Sequence, residues 1–321
     1  IALKNGVKIR LKHEVTWIWR KDTESPVMGV ETKKGNKVKH IRIHKALILA
    51  SGGFSRDIEM RKSYFPFLGP EINCTNHPGA TGEMIRYAQA IGADTLHLAF
   101  IQLYPFAEPE TGILDTPAVY PFSGVGYGLV YVSKDGKRFV NELERRDVCS
   151  FAQIKLGLRP TYSIFNEEMI EKMGGDVNEV KKGIQRKRFI KEDSIEKLAK
   201  SLKLPVQQTV KTITQHNNYI KTGNDPDYGK PMTDKMVLLE KGPFYGIAQW
   251  PACHHTMGGL RINPKAEVID IFGKPIPHLY AAGEVTGGVH GSNRLGSNAI
   301  PDAISFGRVA GINASKEKPI A

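Results

Sequence analysis

The sequence has 321 residues, of which 40% are hydrophobic and 24% are charged, and its formal net charge is +12 at pH 7. This length accommodates two domains. No apolar run approaches the roughly 20 residues that a transmembrane helix needs, and the composition is that of a globular chain, so a membrane-spanning or disordered chain is excluded.

The cysteines and the excess of positive charge carry little functional information. Cys74, Cys149 and Cys253 have no Cys-x-x-Cys spacing, so neither a disulfide framework nor a metal site is predicted. Much of the basic excess lies in residues 181–188. No aromatic residues alternate with these cations, so a solvated helix face is favoured over a nucleic-acid-binding patch. We expect neither a nucleic-acid partner nor a membrane span.

The first hundred residues predict mainly strands. The segment before Gly6 is typical of the last turn of a helix. Alternation in the strand period predicts an antiparallel meander of three strands: Val7–Trp19, Val27–Thr32 and Val38–Ile43. An apolar run then ends in Gly52 and Gly53, which predicts a buried strand that leaves close to a ligand or a helix. The segment Gly82–Gly92 has helical periodicity and a glycine stop.

From Leu103 to Trp250 the pattern changes, which indicates an inserted domain. Two strands are predicted around a Lys-Asp-Gly turn, and two amphipathic helices follow: Leu129–Val132, Arg138–Asn141, Ser194–Leu202 and Pro205–Thr222. A strand then leads from His278 to Gly283 and Glu284, followed by a glycine-rich loop to Gly296. A helix begins near Ile300, with one apolar face: Ala303, Phe306, Val309 and Ala310.

The glycine-rich loop after residue 283 favours a ligand site. It ends at a helix marked by Asn298 and Pro301, and the positive end of a helix suits an anionic group such as the pyrimidine edge of a flavin. Glu284 is placed to accept a hydrogen bond from a ribityl or ribose hydroxyl. Taken alone, the same pattern also fits a turn in which glycines serve close packing.

Four motifs occur in an order that identifies a family. They are His254-His255-Thr-Met-Gly-Gly259 and the segments 75–82, 137–147 and 281–296. Together they resemble the soluble FAD-dependent fumarate reductases, including the flavocytochrome c enzymes and the urocanate and other 2-enoate reductases. This resemblance implies an α/β fold: a Rossmann-like FAD-binding domain with an inserted α+β capping domain. The implied division is 1–102 and 253–321 for the FAD-binding domain and 103–252 for the capping domain.

The family's Gly-x-Gly-x-x-Gly anchor for FAD does not occur in these residues. Because a βαβ unit takes about 30 residues, we expect that anchor to precede Ile1, which leaves the FAD-binding domain incomplete at its N-terminus. The electron donor, whether a haem module, an FMN module or a redox partner, is also expected outside this chain.

The resemblance implies non-covalent FAD and a hydride that passes from flavin N5 to the β-carbon of an unsaturated acid. Arg294 and His255 match the residues that bind the substrate carboxylate, and the planar fork of arginine suits a carboxylate. Arg146 matches the proton donor to the α-carbon. The alternative for Arg146 is an ion pair with Asp147 or Glu144.

Other FAD contacts follow from the resemblance and from turn chemistry. They lie at strand ends, in the turn before a helix, beside the substrate site and at the start of the last helix: Val15, Ala50, Ser51, Gly52, Thr81, Gly82, His254, Gly283, Glu284, Arg294, Ser297, Asn298, Ala299 and Ile300. His77 and His290 are interpreted as structural residues.

The substrate side departs from the fumarate enzymes. Tyr104-Pro105 stands where those enzymes have His-Pro, and residues 120–127 contain neither acid nor base. A second carboxylate there would be buried without a partner, at a cost of several kcal/mol. We therefore expect a monocarboxylate with an aromatic or alkyl substituent, of the urocanate, cinnamate or acrylate type. The expected apolar wall consists of Tyr104, Tyr120, Phe122, Val125 and Tyr127, of which Phe122 and Tyr127 are equally well explained as domain core.

Alternatives stay open at this point. Asp115 is a candidate acidic contact for an imidazole of urocanate. The chain also fits a fumarate reductase proper, a ketosteroid dehydrogenase-like flavoenzyme, or a folded remnant that is inactive without its N-terminal segment and unable to hold FAD. The localisation is not predicted.

Overall fold

The computed structural model describes residues 1–320, apart from the side chains of Thr116 and Val177. In these residues the strands are β1 (Glu14–Arg20), β2 (Val27–Lys34), β3 (Lys37–Arg42), β4 (Leu47–Leu49), β5 (Asn73–Cys74), β6 (Thr95–Leu96), β7 (Ile101–Ala107), β8 (Val130–Val132), β9 (Thr161–Asn166), β10 (Phe189–Glu192), β11 (Phe244–Thr256), β12 (Gly259–Arg261), β13 (Glu267–Ile269), β14 (Pro275–Ala281) and β15 (Thr286–Gly287).

The same residues form helices α1 (Ile58–Tyr64), α2 (Glu83–Ala90), α3 (Val119–Ser123), α4 (Arg146–Leu156), α5 (Glu167–Lys172), α6 (Val177–Gln185), α7 (Ile195–Ser201), α8 (Val206–Thr222) and α9 (Ala299–Lys316). Short 3-10 helices occur at Leu3–Asn5, Thr116–Ala118, Gly124–Tyr127 and Gly283–Val285.

The chain divides into two compact units. The first comprises residues 1–69, 77–101 and 255–321, and the second comprises residues 70–76 and 102–254. The division expected from the sequence differs in that it assigned residues 70–76, 102 and 253–254 to the FAD-binding domain. Residues 73–74 belong to the second unit because β5 pairs in parallel with β11, where Asn73 lies opposite Ala252.

The first unit begins with the predicted meander. β1, β2 and β3 form an antiparallel sheet in that order. The prediction that the first strand starts at Val7 is wrong, since β1 begins at Glu14, which pairs with Lys33 close to the end of β2. Only Lys34 of β2 lies beyond this pair, so β2 offers almost no partner for positions 7–13, and Leu11 is 77% exposed. An alternating pattern forms a strand only where a partner covers it.

Parallel pairing in the first unit brings two strand ends together. β4 pairs in parallel with β14, with Leu49 opposite Ala281, and the Ala282 N–H donates to the Leu49 carbonyl at 3.0 Å. Ala50 to Gly52 and Gly283 to Glu284 therefore leave the sheet side by side at its carboxyl edge. Ligands of α/β proteins bind at this edge.

Close backbone packing accounts for several paired glycines of the first unit. A Cβ atom at Gly258 would lie 2.4 Å from the His97 carbonyl oxygen, and one at Gly259 would lie 2.3 Å from the Val285 carbonyl oxygen. A Cβ atom at Gly287 would lie 2.5 Å from the Leu96 carbonyl oxygen. These glycines permit the tight packing of β6, β12 and β15, whether or not a ligand is near.

The second unit is built on a mixed sheet of six strands. The path runs β10, β11, β9 and β8, and β5 and β7 also pair with β11. Helices α7 and α8 form where they were predicted. Ser194 caps α7 by accepting a hydrogen bond from the Lys197 N–H at 3.3 Å, and Gly223 ends α8 with a φ of +71°. Pro205 lies at the N-cap of α8 rather than in its first turn.

The strand predicted at Arg138–Asn141 does not form. The predicted turn is present, with Gly136 at a φ of +75° and the Ser133 N–H bonded to the Lys137 carbonyl at 3.0 Å. After this turn the Arg138 side chain is held by Glu142 and Asp225, and residues 138–141 make no strand pairing. A buried ion-pair network replaces the strand. The alternation of residues within this segment does not reveal that network.

The three cysteines are buried and form no disulfide with one another.

Candidate functional site

Arg146 in the second unit has an unusual environment for an arginine. It is the first residue of α4, where the positive end of the helix disfavours a cation. Its guanidinium carbon lies 5.1 Å from the ring centre of Tyr104 and 4.9 Å from that of Phe122. Two aromatic rings therefore take the place of a carboxylate.

Arg146 Nη1 is buried and has no hydrogen-bond partner among the described residues. The alternative expected from the sequence was an ion pair with Asp147 or Glu144. The Asp147 carboxylate instead receives two hydrogen bonds from Arg145, from Nε at 3.2 Å and from Nη2 at 2.9 Å, and neither carboxylate acts on the pKa of Arg146. Burial lowers the pKa of Arg146, and the neighbouring Tyr104 offsets this only in part. Arg146 thus carries a donor without an acceptor and holds its proton less firmly than an ordinary arginine.

Tyr104 connects Arg146 to a histidine of the same unit. Its side chain is buried in β7, with its ring centre 5.0 Å from that of His254 and 5.2 Å from that of Phe106. Burial raises the pKa of Tyr104 to about 12, so its hydroxyl is protonated at neutral pH. The His254 Nδ1 atom is 2.7 Å from the Thr75 hydroxyl oxygen, which fixes this ring from the side of β5.

The expected aromatic wall is only partly available to a ligand. Phe122 is 43% exposed and contacts Arg146. Tyr120, in contrast, is buried, with its ring stacked on Phe165 at 5.9 Å and in contact with Phe189 at 5.4 Å. The Tyr120 ring fills the core of the second unit, so packing alone accounts for it. Val125 and Tyr127 are half-buried against the same core.

Asp115 is already neutralised. Its carboxylate accepts hydrogen bonds from both Nε and Nη2 of Arg188, and both side chains are mostly buried. An imidazole of a ligand would have to compete with this bidentate pair, so the structure gives Asp115 a structural role. The exposed basic helix α6 has its own internal pair, Lys182 with Glu179 at 2.7 Å, as expected for a solvated helix face.

The first unit holds a second cluster, centred on Glu284. The Thr256 N–H donates to Glu284 Oε1 at 2.9 Å, and the Thr256 hydroxyl donates to the same oxygen at 3.3 Å. His255 Nδ1 lies 3.5 Å from Glu284 Oε2. Burial raises the pKa of Glu284, while the bonds from Thr256 and the charge of Arg294 act in the opposite direction. Gly53 makes room for this cluster, since a Cβ atom there would lie 2.0 Å from Thr256 Oγ1.

Arg294 ends the glycine-rich loop and is buried. Its Nη1 donates to the Leu295 carbonyl at 3.1 Å, and its charge acts on Glu284. Arg294, His255 and Glu284 therefore lie in one electrostatic cluster of the first unit. Arg146 lies in the second unit, together with Tyr104, Phe122 and His254.

The candidate FAD contacts fit a bound dinucleotide at the carboxyl edge of β4 and β14. Gly52 has a φ of +79°, and no atom lies within 4 Å of the place where its Cβ would be. Gly283 also has a positive φ, +75°, and Ala50 and Ser51 are exposed. This edge therefore offers accessible backbone with room for a ligand. Gly82 differs, since a Cβ there would lie 2.5 Å from Phe54 Cβ, so packing also explains that glycine.

The start of α9 provides the remaining candidates. Asn298 is its N-cap but makes no side-chain capping bond, and Ser297 has a φ of +67°. The Ile300 N–H bonds the Ser297 carbonyl at 3.3 Å, so this N–H is partly used inside the turn. Thr81 and Val15 are half-buried, and Val15 packs against the core of the first unit.

Sequence reasoning gave His290 only a structural role. The structure places its ring 5.3 Å from that of His255 and its Nε2 atom 3.1 Å from Asp302 Oδ2. The signal was present in the motif, because His290 stands four residues before Arg294, but its partner Asp302 lies on a helix that periodicity alone does not orient. His77, also interpreted as structural, accepts a hydrogen bond from the Gly79 N–H at 3.0 Å.

Residues 1–320 contain no candidate metal site and no candidate membrane-spanning helix. No group of histidine, cysteine, aspartate and glutamate side chains within this range is arranged to hold a metal ion. No helix within it has the length and hydropathy of a membrane span.

Comparison with known proteins identifies the family of this chain. A family model described as FAD binding domain matches residues 2–300. The chain is 37% identical over 303 residues to the NADH:acrylate oxidoreductase of Vibrio harveyi. The aligned region covers 90% of this chain and 29% of that protein. It is 38% identical over 274 residues to the urocanate reductase of Eggerthella lenta, which covers 84% of this chain and 44% of that protein.

A solved structure agrees with the fold. The open conformation of a flavocytochrome c3 fumarate reductase superposes with a TM-score of 0.81 at 35% identity, over 98% of this chain and 54% of that one. The predicted α/β class and the predicted resemblance are thereby confirmed. The chain spans about half the length, or less, of the proteins it matches here. The match over residues 2–300 shows that the chain belongs to the FAD binding domain family, with fumarate, urocanate and acrylate reductases among its relatives.

Proposed function

We propose that the chain is the flavin- and substrate-binding part of an oxidoreductase that reduces the C=C bond of an α,β-unsaturated carboxylate. The observation that carries this proposal is Arg146, whose buried Nη1 has no acceptor among the described residues and whose pKa is lowered by burial. A general acid works best when it is held in place and its pKa is brought closer to the working pH. The printed names of the relatives support the same reaction class.

FAD, bound without a covalent link, would supply a hydride from its N5 atom to the substrate β-carbon. The residues that would hold it are those at the carboxyl edge of β4 and β14, from Ala50 to Gly52 and at Gly283, together with the start of α9. Arg294 and His255 would bind the substrate carboxylate, drawing negative charge into it and polarising the adjacent double bond. Arg146 would donate the proton to the α-carbon.

We infer a monocarboxylate as the substrate. The candidate acid in this region, Asp115, is bound by Arg188, and residues 120–127 carry no charged side chain. Phe122, which is exposed, presents apolar surface beside the Arg146 guanidinium, and the buried Tyr104 ring lies on the same guanidinium. This surface suits an alkyl or aromatic substituent. Acrylate and urocanate, named for two relatives, each have one carboxylate. Electrons would come from a haem or FMN module or a separate redox partner.

The decisive experiment is anaerobic turnover by the FAD-loaded chain with a reduced dye as electron donor. Acrylate, methacrylate, cinnamate, urocanate and fumarate are compared under the same conditions. We expect kcat/KM to be highest for one of the monocarboxylates. If fumarate is the best substrate, the inference from Phe122 and Tyr104 is wrong and the protein is a fumarate reductase. Release of the flavin on acid denaturation would support non-covalent binding.

The second candidate, a ketosteroid dehydrogenase-like flavoenzyme, is separated by one variant. Arg294→Ala should abolish enoate reduction because it removes the carboxylate-binding cation, whereas a neutral ketone would not need that cation. Steroid oxidation that survives in this variant would favour the second candidate. Arg308→Ala is the matched control, since Arg308 is exposed on the following helix and its removal changes the net charge equally.

A further inference from the structure

His290 and Asp302 form a buried pair that the proposed reaction does not yet use. His290 lies in the glycine-rich loop after β15, and Asp302 lies in the first turn of α9. The Nε2 atom of His290 is 3.1 Å from Asp302 Oδ2, and the two side chains are 11% and 4% exposed. The partial positive charge at the start of this 18-residue helix stabilises the carboxylate.

The pair is in contact with the carboxylate-binding histidine. The His290 and His255 rings meet edge to face, with centres 5.3 Å apart and planes at 75°. On its other side, His255 Nδ1 faces Glu284 Oε2 at 3.5 Å. The four side chains thus form a continuous row from Glu284 through His255 and His290 to Asp302.

Packing alone does not explain the carboxylate at position 302. Its Oδ1 atom is buried and has no hydrogen-bond partner among the described residues, and a half-satisfied buried carboxylate costs stability unless it serves another purpose.

We propose that His290 and Asp302 are positioning residues that fix the orientation of the His255 imidazole for carboxylate binding. Asp302 holds the His290 ring through Nε2, and that ring prevents the His255 imidazole from turning. With Nδ1 on the side of Glu284, the N–H at Nε2 of His255 donates to the substrate carboxylate. This inference rests on the proposed function, which gives His255 its ligand.

The test uses three variants of the FAD-loaded chain. Asp302→Asn keeps the shape of the side chain and removes its charge. His290→Phe keeps a ring against His255 and removes the hydrogen bond to Asp302. It provides the same test if Asp302→Asn does not fold. Tyr280→Phe is the matched control, because it removes one hydrogen bond, from Tyr280 of β14 to Glu317 at 2.7 Å, which joins the sheet to the other end of α9.

Two readouts separate positioning from a general structural role. Histidine-selective ¹⁵N NMR, with His255 assigned through His255→Gln, should show one sharp set of His255 ring signals in the wild type and in Tyr280→Phe, and exchange between ring orientations in Asp302→Asn and His290→Phe. The KM for acrylate should rise about tenfold in the latter two, with kcat changed less than about threefold, since lost orientation weakens ground-state and transition-state binding alike. Binding of propionate, a saturated carboxylate that cannot be reduced, should weaken by the same factor.

The outcomes are distinguishable. Unchanged His255 signals, KM and propionate affinity in both variants would overturn the inference while leaving the proposed function intact. A wild type that reduces no enoate would refute the proposed function, and the NMR comparison alone would then decide whether the pair positions His255. Equal losses in Tyr280→Phe would show that the pair acts only by tying the helix to the sheet.

Discussion

Two arginines of the second unit, Arg138 and Arg146, are buried in opposite ways. Arg138 donates from Nε and Nη2 to Glu142, both at 2.9 Å, and from Nη2 to Asp225 at 2.8 Å. Burial by itself would lower the pKa of Arg138, but the bonds and charges of these two carboxylates outweigh it and raise the pKa. Arg146 is flanked by aromatic rings, and burial lowers its pKa.

The difference separates a structural cation from a candidate acid. A guanidinium bound by two carboxylates is stabilised in its charged form and does not give up a proton. A guanidinium against phenyl and phenol rings keeps a weaker, less directional attraction and has no carboxylate that stabilises its charged form. Arg138 and Arg146 lie eight positions apart in one motif, and we therefore expect different roles for them, which substitution experiments can test.

The largest effect is expected for Arg146→Ala. Without the proton donor, enoate reduction should fall by about 10⁴-fold in kcat, at the upper end of what general acid catalysis contributes. FAD content and the unfolding transition should be unchanged. Arg145→Ala is the control, since Arg145 is exposed and paired with Asp147. If both variants keep wild-type turnover with acrylate, Arg146 is not the acid.

The second prediction concerns the stability of the Arg138 network. Glu142 is fully buried and also lies 3.1 Å from Lys230 Nζ. Glu142→Gln leaves Arg138 and Lys230 with too little negative charge, so the free energy of unfolding should fall by about 3–5 kcal/mol. The control, Glu179→Gln, breaks only the surface pair with Lys182 and should cost less than about 1 kcal/mol. Urea denaturation measures both, and equal losses would mean that the buried network is no more important than a surface pair.

Local signals in the sequence were sufficient for part of the fold. Ser194 and Gly223 mark helix ends through their own chemistry, a side-chain cap and a positive φ, and the two predicted helices agree with α7 and α8 to within one residue at each end. Strands were harder, because pairing depends on distant residues. β11 runs over 13 residues and includes Gly246 and Pro251, which weaken any local strand signal. It exists because β9 and β10 flank it on both sides.

The candidate site, too, was predicted only in part from the sequence. The motif identified Arg146, Arg294 and His255, since a family pattern fixes residue types at fixed spacings. It did not show that the Tyr120 ring packs on Phe165, because that contact joins residues 45 positions apart. Long-range side-chain partners of this kind decide whether an aromatic residue belongs to a wall or to the core.

The third prediction uses the pH dependence of the Arg138 region. His216 Nε2 lies 3.1 Å from the Gly128 carbonyl oxygen, and burial, with the charge of Lys230, lowers the pKa of His216 to about 3. The unfolded chain binds a proton near pH 6.5 and the folded chain does not, so stability is lost as the pH falls from about 6.5 towards 3.

His216→Gln should remove about 2 kcal/mol of the stability lost between pH 7 and pH 5, as calculated from a slope of about 1.4 kcal/mol per pH unit below pH 6.5. The comparison is made by urea denaturation at the two pH values. His44→Gln, at an exposed position, is the control and should follow the wild type. Because Glu142, whose pKa is lowered to about 2, is ionised at both pH values, its contribution to the difference is small. If the pH dependence of the unfolding free energy is unchanged in His216→Gln, His216 binds a proton in the folded chain as readily as in the unfolded chain.

The smallest effect is expected on the aromatic side of Arg146. Phe122→Ala removes one of the two rings beside the guanidinium and admits water, so the pKa of Arg146 should return towards its ordinary value. A cation–π contact of about 1 kcal/mol corresponds to a loss of about fivefold in kcat for acrylate, far less than for Arg146→Ala. Phe272→Ala is the control, since Phe272 is 70% exposed in a turn of the first unit. A loss in Phe122→Ala as large as that in Arg146→Ala would mean that the aromatic ring, rather than the absence of a carboxylate partner, determines the behaviour of Arg146.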